Sequence, residues 1–187
     1  MIVVSGSPRA GSSLMMRILR DSGFVPIADE PGSFESKLVA NNDLSELDSV
    51  PVLARPSTCV KVFYPTIMSL PPRDYTVIWM YRTPKEQAKS QRKYYRLHLK
   101  VDKPRSFIGE RAKSLKRINR DIPKILALSH LLIVKVSFED LITHTTATKR
   151  TLERVLGRLV DTSCVVKRSP LNKNTMAVGQ LETSSAG

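Results

Sequence analysis

At 187 residues and 41% hydrophobic composition the chain can bury one substantial core, and two independent domains would leave each half marginal. A formal charge of +13 argues against cationic partners and for an anionic one, because a cationic surface concentrates anions. No run approaches the ~20 apolar residues of a membrane span, the start Met1-Ile2-Val3-Val4 lacks the form of a signal peptide, and the two cysteines, Cys59 and Cys164, adjoin apolar runs with no ligand-like neighbour. The expectation is a cytoplasmic protein with two buried free thiols.

In chain order, Ile2-Val3-Val4-Ser5 is a short β-branched strand, followed by a glycine-bearing loop and a helix with Leu14, Met15, Ile18 and Leu19 on one face. Residues 33–56 are polar and weakly periodic, which predicts a short helix and loops. Further strands are expected at Cys59–Phe63, stopped by Pro65, at Tyr75–Tyr81, stopped before Pro84, and at Leu131–Val136. These runs are continuously apolar, as in strands buried on both faces of a parallel sheet. Thr83-Pro84-Lys85-Glu86 carries a capping threonine, a first-turn proline and a capping-box glutamate, so a helix should run from there to about His98. A second helical pattern, with Ile108, Ala112, Leu115, Ile118 and Ile122, should bend or break at Pro123. A third carries Leu152, Val155, Leu156 and Leu159. Strands alternating with helices predict an α/β fold, a three-layer αβα domain with a central parallel sheet, over residues 1–177, with a polar, mobile tail at 178–187. The positive excess lies between Lys85 and Lys124, and most of it reads as a solvated helix face.

The loop Gly6-Ser7-Pro8-Arg9-Ala10-Gly11-Ser12-Ser13 sits between strand and helix, where backbone N–H groups and the helix dipole can hold a phosphate. Its glycines have Walker-A spacing, but Ser12 stands where that motif needs lysine, which disfavours an ordinary ATP or GTP site. The cation is Arg9 instead. Independently, Arg82 ends an apolar strand and Ser90 follows about two helical turns into the next helix, so a guanidinium and a hydroxyl can meet one anion at the sheet's C-terminal edge.

These two motifs resemble those of P-loop sulfotransferases. Pro8-Arg9-Ala10-Gly11-Ser12-Ser13 is similar to the family's 5′-phosphosulfate loop, and is closest to that of bacterial sulfotransferase-like proteins. Trp79-Met80-Tyr81-Arg82 through Ser90-Gln91-Arg92-Lys93 is similar to its 3′-phosphate motif. Val134-Lys135-Val136-Ser137-Phe138-Glu139-Asp140-Leu141 resembles a family strand-to-helix passage, with phenylalanine in place of the usual tyrosine; Glu139 and Asp140 read as helix-capping acids. The resemblance implies a P-loop NTPase-like sulfotransferase fold and 3′-phosphoadenosine 5′-phosphosulfate (PAPS) as sulfuryl donor. It places Arg9 on the bridging oxygen, Gly11, Ser12 and Ser13 around the 5′-phosphate, and Arg82 and Ser90 on the 3′-phosphate.

Sulfuryl transfer needs in-line placement, charge stabilisation on the leaving phosphate and a base for the acceptor hydroxyl. By the resemblance, Arg9 and Lys61 supply cations. The catalytic histidine that many members carry two residues after the lysine is here Phe63, which cannot take a proton. A carboxylate is expected instead: Glu30, by likeness to the base of protein-tyrosine sulfotransferases, with Asp29 as the fallback. His98, His130 and His144 are isolated, and no metal is called for. Lys167-Arg168 is the nearest counterpart of the family's segment that closes over the 3′-phosphate, and lacks its glycine. The acceptor wall is expected from residues 33–56, the basic helices or the second subunit of a homodimer; a basic channel suits an anionic acceptor. A P-loop kinase binding Mg·ATP and a non-catalytic nucleic-acid or interaction module on the same fold are the competing readings.

Overall fold

The computed structural model describes residues 1–28, 34, 57–71, 74–129 and 131–166. Except for Phe34, the expected loops of residues 33–56 lie outside the described residues, as do Asp29, Glu30, His130, Lys167-Arg168 and the tail.

The N-terminal apolar run forms β1 (Ile2–Gly6), buried at every position. After the loop come α1 (Ser12–Asp21), a two-residue β2 (Val25–Pro26), β3 (Thr58–Phe63) and β4 (Thr76–Tyr81). Then follow α2 (Pro84–His98), α3 (Ser106–Leu128), β5 (Leu132–Ser137), and the shorter α4 (Phe138–Thr143), α5 (Thr145–Leu156) and α6 (Ser163–Val166). The strands pair in the order β2-β3-β1-β4-β5, and every pairing is parallel. This is the expected α/β architecture. β2 was not anticipated: two residues, one of them proline, carry no periodicity, and proline is tolerated there because β2 is an edge strand.

Alternation across the strands sends side chains to two cores. Val4, Cys59, Ile78, Met80, Val134 and Val136 pack against Leu14, Met15, Ile18 and Leu19 of α1, with Leu141 and Leu152. On the other face Val3, Val60, Val62, Val77 and Trp79 pack against Ile122 and Leu126 of α3. Continuous burial holds for β1, β3 and the middle of β4, but β5 is an edge strand with Leu132 and Lys135 exposed. Both cysteines are buried and free, and burial pushes the Cys59 thiol up to about 12.

At Pro123 the break does not occur, and one helix end differs from expectation. α3 runs through Pro123 for five more residues to Leu128. A proline inside a helix costs ~3 kcal/mol, and burial of Ile122 and Leu126 offsets that at roughly 1.5–3 kcal/mol per side chain. α5 stops at Leu156, because Gly157 adopts a left-handed conformation (φ 65°) and ends the helix; Leu159 lies beyond it and is 83% exposed.

The register positions the site. Gly6 pairs with both Phe63 and Met80, and Tyr81 pairs with Ser137, so the C-terminal ends of β1, β3, β4 and β5 are level. The chain leaves β1 toward the β2 edge and crosses after β3 to β4 on β1's other side, the topological switch where α/β sheets open a ligand crevice.

Candidate functional site

Gly6 lets the loop leave β1 against β4: its φ is 141°, and a Cβ there would collide with the Met80 carbonyl oxygen. The Ala10 N–H donates to Ser7 O at 3.2 Å, closing a turn. Gly11 caps α1 in a left-handed conformation (φ 102°) and offers no side-chain cap, and the first turn of α1 carries no acid. The N–H groups of Ser12 and Ser13 stand at the head of the helix, with no carbonyl four residues back to accept them. They and the helix dipole favour an anion. A Cβ on Gly11 would come within 2.5 Å of the Phe138 ring, so this ring is seated directly on the loop.

Helix α2 holds the loop from the other side. Gln87 Nε2 donates to Ser7 O (3.1 Å) and Pro8 O (3.0 Å), and Gln91 Nε2 donates to Pro8 O (2.7 Å). Arg111 of α3 in turn donates through Nε to Gln91 Oε1 at 2.8 Å. Both glutamines are buried, and their Nε2 groups are paired where an unpaired donor would cost ~1–3 kcal/mol, so these bonds help set where α2 sits, although Gln87 Oε1 has no hydrogen-bond partner among the described residues.

The expected capping box of α2 does not form. Thr83 makes no side-chain cap bond, and Glu86 turns to Lys89 at 2.7 Å. That hydrogen bond holds the Glu86 carboxyl below its usual range. The Thr83 N–H donates instead to the Glu139 carboxylate (3.2 and 3.3 Å), a glutamate reaching in from α4. Glu139 also lies 3.4 Å from Arg82 Nε, and the Arg82 guanidinium sits 4.7 Å from the centroid of Phe138. Ser137 caps α4 by accepting the Asp140 N–H at 3.2 Å, so Asp140 lies in a cap as expected, while Glu139 does more: it positions Arg82.

The two expected anion positions open into one cleft of about 510 Å3, within the usual range for small-molecule sites. Pro8, Arg9, Gly11, Ser12, Ser13, Arg82 and Ser90 all line it. Arg9 takes a left-handed conformation (φ 70°) that throws its side chain across the gap, with Nε 3.4 Å from Ser90 Oγ and the guanidinium 5.6 Å from the Tyr94 centroid.

Two expected residues are placed otherwise. Ala10 is fully buried in the core and its N–H is already bonded within the turn, so it shapes the loop from behind. Lys61 is the fourth of six residues in β3, not its last, and is buried; its ammonium lies 5.1 Å from the Phe63 centroid, and Phe63 is the residue that lines the cleft. Glu30, with Asp29, lies outside the described residues. Among the described residues no group of His, Cys, Asp or Glu is arranged to hold a metal ion.

No protein-family model matches the sequence, and no curated protein matches it. The structure does find a counterpart: the crystal structure of mouse sulfotransferase SULT7A1 complexed with PAP, with a TM-score of 0.55 at 15% identity over 89% of this chain. The fold is that of a sulfotransferase. The chain spans 61% of the mouse chain's length.

Within this fold, sequence reasoning missed Gln87, Gln91, Arg111, Tyr94, Tyr95 and the seating of Phe138. One signal was available: Gln87, Gln91 and Tyr94 recur at spacings of four and three on a helix otherwise rich in charge, which marks them as one face turned inward. Arg111 has no such signal, because its partner lies on another helix.

Proposed function

We propose that the protein is a sulfotransferase that moves a sulfuryl group from PAPS to a hydroxyl acceptor. The observation that carries this reading is the union, in one cleft, of an amide-lined helix N-terminus with Arg9 and a strand-end Arg82 with Ser90. A donor with a phosphosulfate at one end and a 3′-phosphate at the other has this pattern of charge. The absence of lysine at position 12 disfavours the kinase reading.

In the proposed reaction the acceptor oxygen forms a bond to sulfur while the bond from sulfur to the 5′-phosphate oxygen breaks, and its electron pair stays on the leaving 3′,5′-bisphosphate. Arg9 and the amides of Ser12 and Ser13 stabilise that charge. Arg82, held by Glu139 and Phe138, and Ser90 orient the adenosine end. Phe63 in the cleft wall excludes a histidine base at that position, and the acceptor's proton is assigned to Glu30, with Asp29 as the alternative. Lys61 is assigned a through-space cationic role, since Phe63 fronts it.

Calorimetric titration with 3′,5′-adenosine bisphosphate, ADP and Mg·ATP tests the reading on the wild type and on Arg82→Ala. Preference for the bisphosphate that disappears in the variant supports it. Preference for Mg·ATP, or salt-sensitive RNA or DNA binding with no nucleotide response, overturns it.

A further inference from the structure

The residues expected to meet the donor do not account for the whole lining of the cleft. Past Ser90 it continues along α2 and onto α3, lined by Tyr94, Tyr95, Leu99 and Arg111. Among the described residues its wall holds three arginines, Arg9, Arg82 and Arg111, and no carboxylate. On the sulfotransferase reading, which this inference rests on, the first two meet the two anionic ends of the donor. Arg111 is then a third guanidinium with no donor charge to match.

Arg111 is also held in place. It is half-buried, and its Nε is spent on Gln91 Oε1 at 2.8 Å; among the described residues no acid pairs with it. A guanidinium has five N–H donors, so one bond to Gln91 leaves the rest of the fork to an anion. The rings beside it are braced as well. Tyr94 stacks on His98 at 4.8 Å, and Tyr95 meets Phe107 edge-on at 5.8 Å. Braced aromatic surface next to a fixed cation is a recognition pattern for a ring that carries an acid group, because the ring lies on the apolar faces and the acid meets the guanidinium.

We infer that Tyr94, Tyr95, Leu99 and Arg111 form the acceptor subsite, and that it selects a small hydroxyl compound whose ring bears a carboxylate. Arg111 is the specificity residue; the hydroxyl it presents faces the Arg9 end of the cleft.

A matched pair of probes tests this: p-nitrophenyl β-D-glucuronide and p-nitrophenyl β-D-glucoside share the ring and its three secondary hydroxyls and differ at C6, a carboxylate in the first and a hydroxymethyl group in the second. Each is titrated calorimetrically into the protein saturated with 3′,5′-adenosine bisphosphate, for the wild type and for Arg111→Gln, which keeps a hydrogen-bond donor near Gln91 and removes the charge. The glucuronide should bind the wild type about ten-fold or more tighter than the glucoside, as one charge-assisted pair provides. In the variant the ratio should collapse to about two-fold or less. General loosening of the site would weaken both probes together and leave the ratio intact. No preference in the wild type, no binding of either probe, or a ratio that survives in the variant overturns the inference. So does a loss of bisphosphate affinity in Arg111→Gln as large as that in Arg82→Ala, since Arg111 would then serve the donor. A wild type that fails to take the bisphosphate overturns the sulfotransferase reading itself, whereas uptake without carboxylate preference overturns the acceptor subsite alone.

Discussion

The two sides of α2 carry similar numbers of polar groups and have different consequences. At 3.6 residues per turn, Gln87, Ser90, Gln91 and Tyr94 fall on one side, and Lys89, Arg92, Lys93 and Arg96 on the other. The first side grips the loop after β1 and lines the cleft. The second lines a shallow outer recess of about 220 Å3, in which Arg92 lies 3.6 Å from Asp102 and donates to Lys103 O at 2.6 Å. The cleft's cations come from elsewhere: the loop, the end of β4 and α3. A large positive excess on a helix therefore does not mark the site. Uncharged amides buried against backbone carbonyls organise it, and single arginines from three different elements charge it.

The largest effect should follow from the inner side's neighbour Arg82. Arg82→Ala removes a charge-assisted contact, and affinity for 3′,5′-adenosine bisphosphate should fall on the order of 100-fold by calorimetry. A loss below about three-fold would break the assignment of the strand-end guanidinium to a phosphate. Next, Gln87→Leu keeps the side-chain bulk but removes the two bonds that tie Ser7 O and Pro8 O to α2 through Gln87, leaving Ser7 O only its bond from Ala10 N–H and Pro8 O only that from Gln91. Urea unfolding should show a destabilisation of about 2 kcal/mol, and bisphosphate affinity should drop several-fold as the loop loosens. An unchanged midpoint would mean that α2 does not hold the loop.

Replacing Lys89, Arg92, Lys93 and Arg96 together by glutamine should alter bisphosphate affinity by no more than about three-fold at physiological salt, because none of them lines the cleft and salt screens charges on the solvent-facing side of the helix. The association rate at low ionic strength should slow more than the equilibrium changes. A hundred-fold loss would erase the distinction between the two sides. The smallest effect lies in the sheet. Burial raises the Cys59 thiol from 9.0 to about 12, so the folded state retains a proton that the unfolded chain releases above pH 9. Stability contributed by this group is complete below pH 9 and declines as pH rises from there toward 12. Cys59→Ala should flatten that part of the alkaline unfolding profile, and iodoacetamide at pH 8 should leave the folded wild-type Cys59 unmodified.

Much of the fold was legible because its signals are local. Ile2–Gly6, Thr76–Tyr81 and Pro84–His98 lie within a residue or two of expectation, since apolar runs, turn residues and a first-turn proline act over a few positions. The loop residues that line the cleft, Pro8, Arg9, Gly11, Ser12 and Ser13, were legible for the same reason: they are contiguous. Apart from the stop at Gly157, a local signal, the departures involve a partner outside the stretch that was read. Pro123 was expected to bend or break a helix; the break does not occur, and burial of its neighbours against the Trp79 face accompanies the continuation of α3. Glu86 should have closed a capping box, but Lys89 took its carboxylate and Glu139 supplied the Thr83 acceptor from 56 residues away.

The sequence alone determined the alternation of parallel strands with helices, the glycine-bearing loop between β1 and α1, and the placing of Arg82 at a strand end two turns before Ser90, because periodicity, glycine spacing and helical pitch are properties of short stretches of chain. Tertiary structure decided that both anion positions open into one cleft, that Gln87 and Gln91 clamp the loop, and that Arg111 joins the wall. Those facts depend on the level ends of β1 and β4 and on the angle at which α2 and α3 lie over them, which are set by packing across the whole sheet.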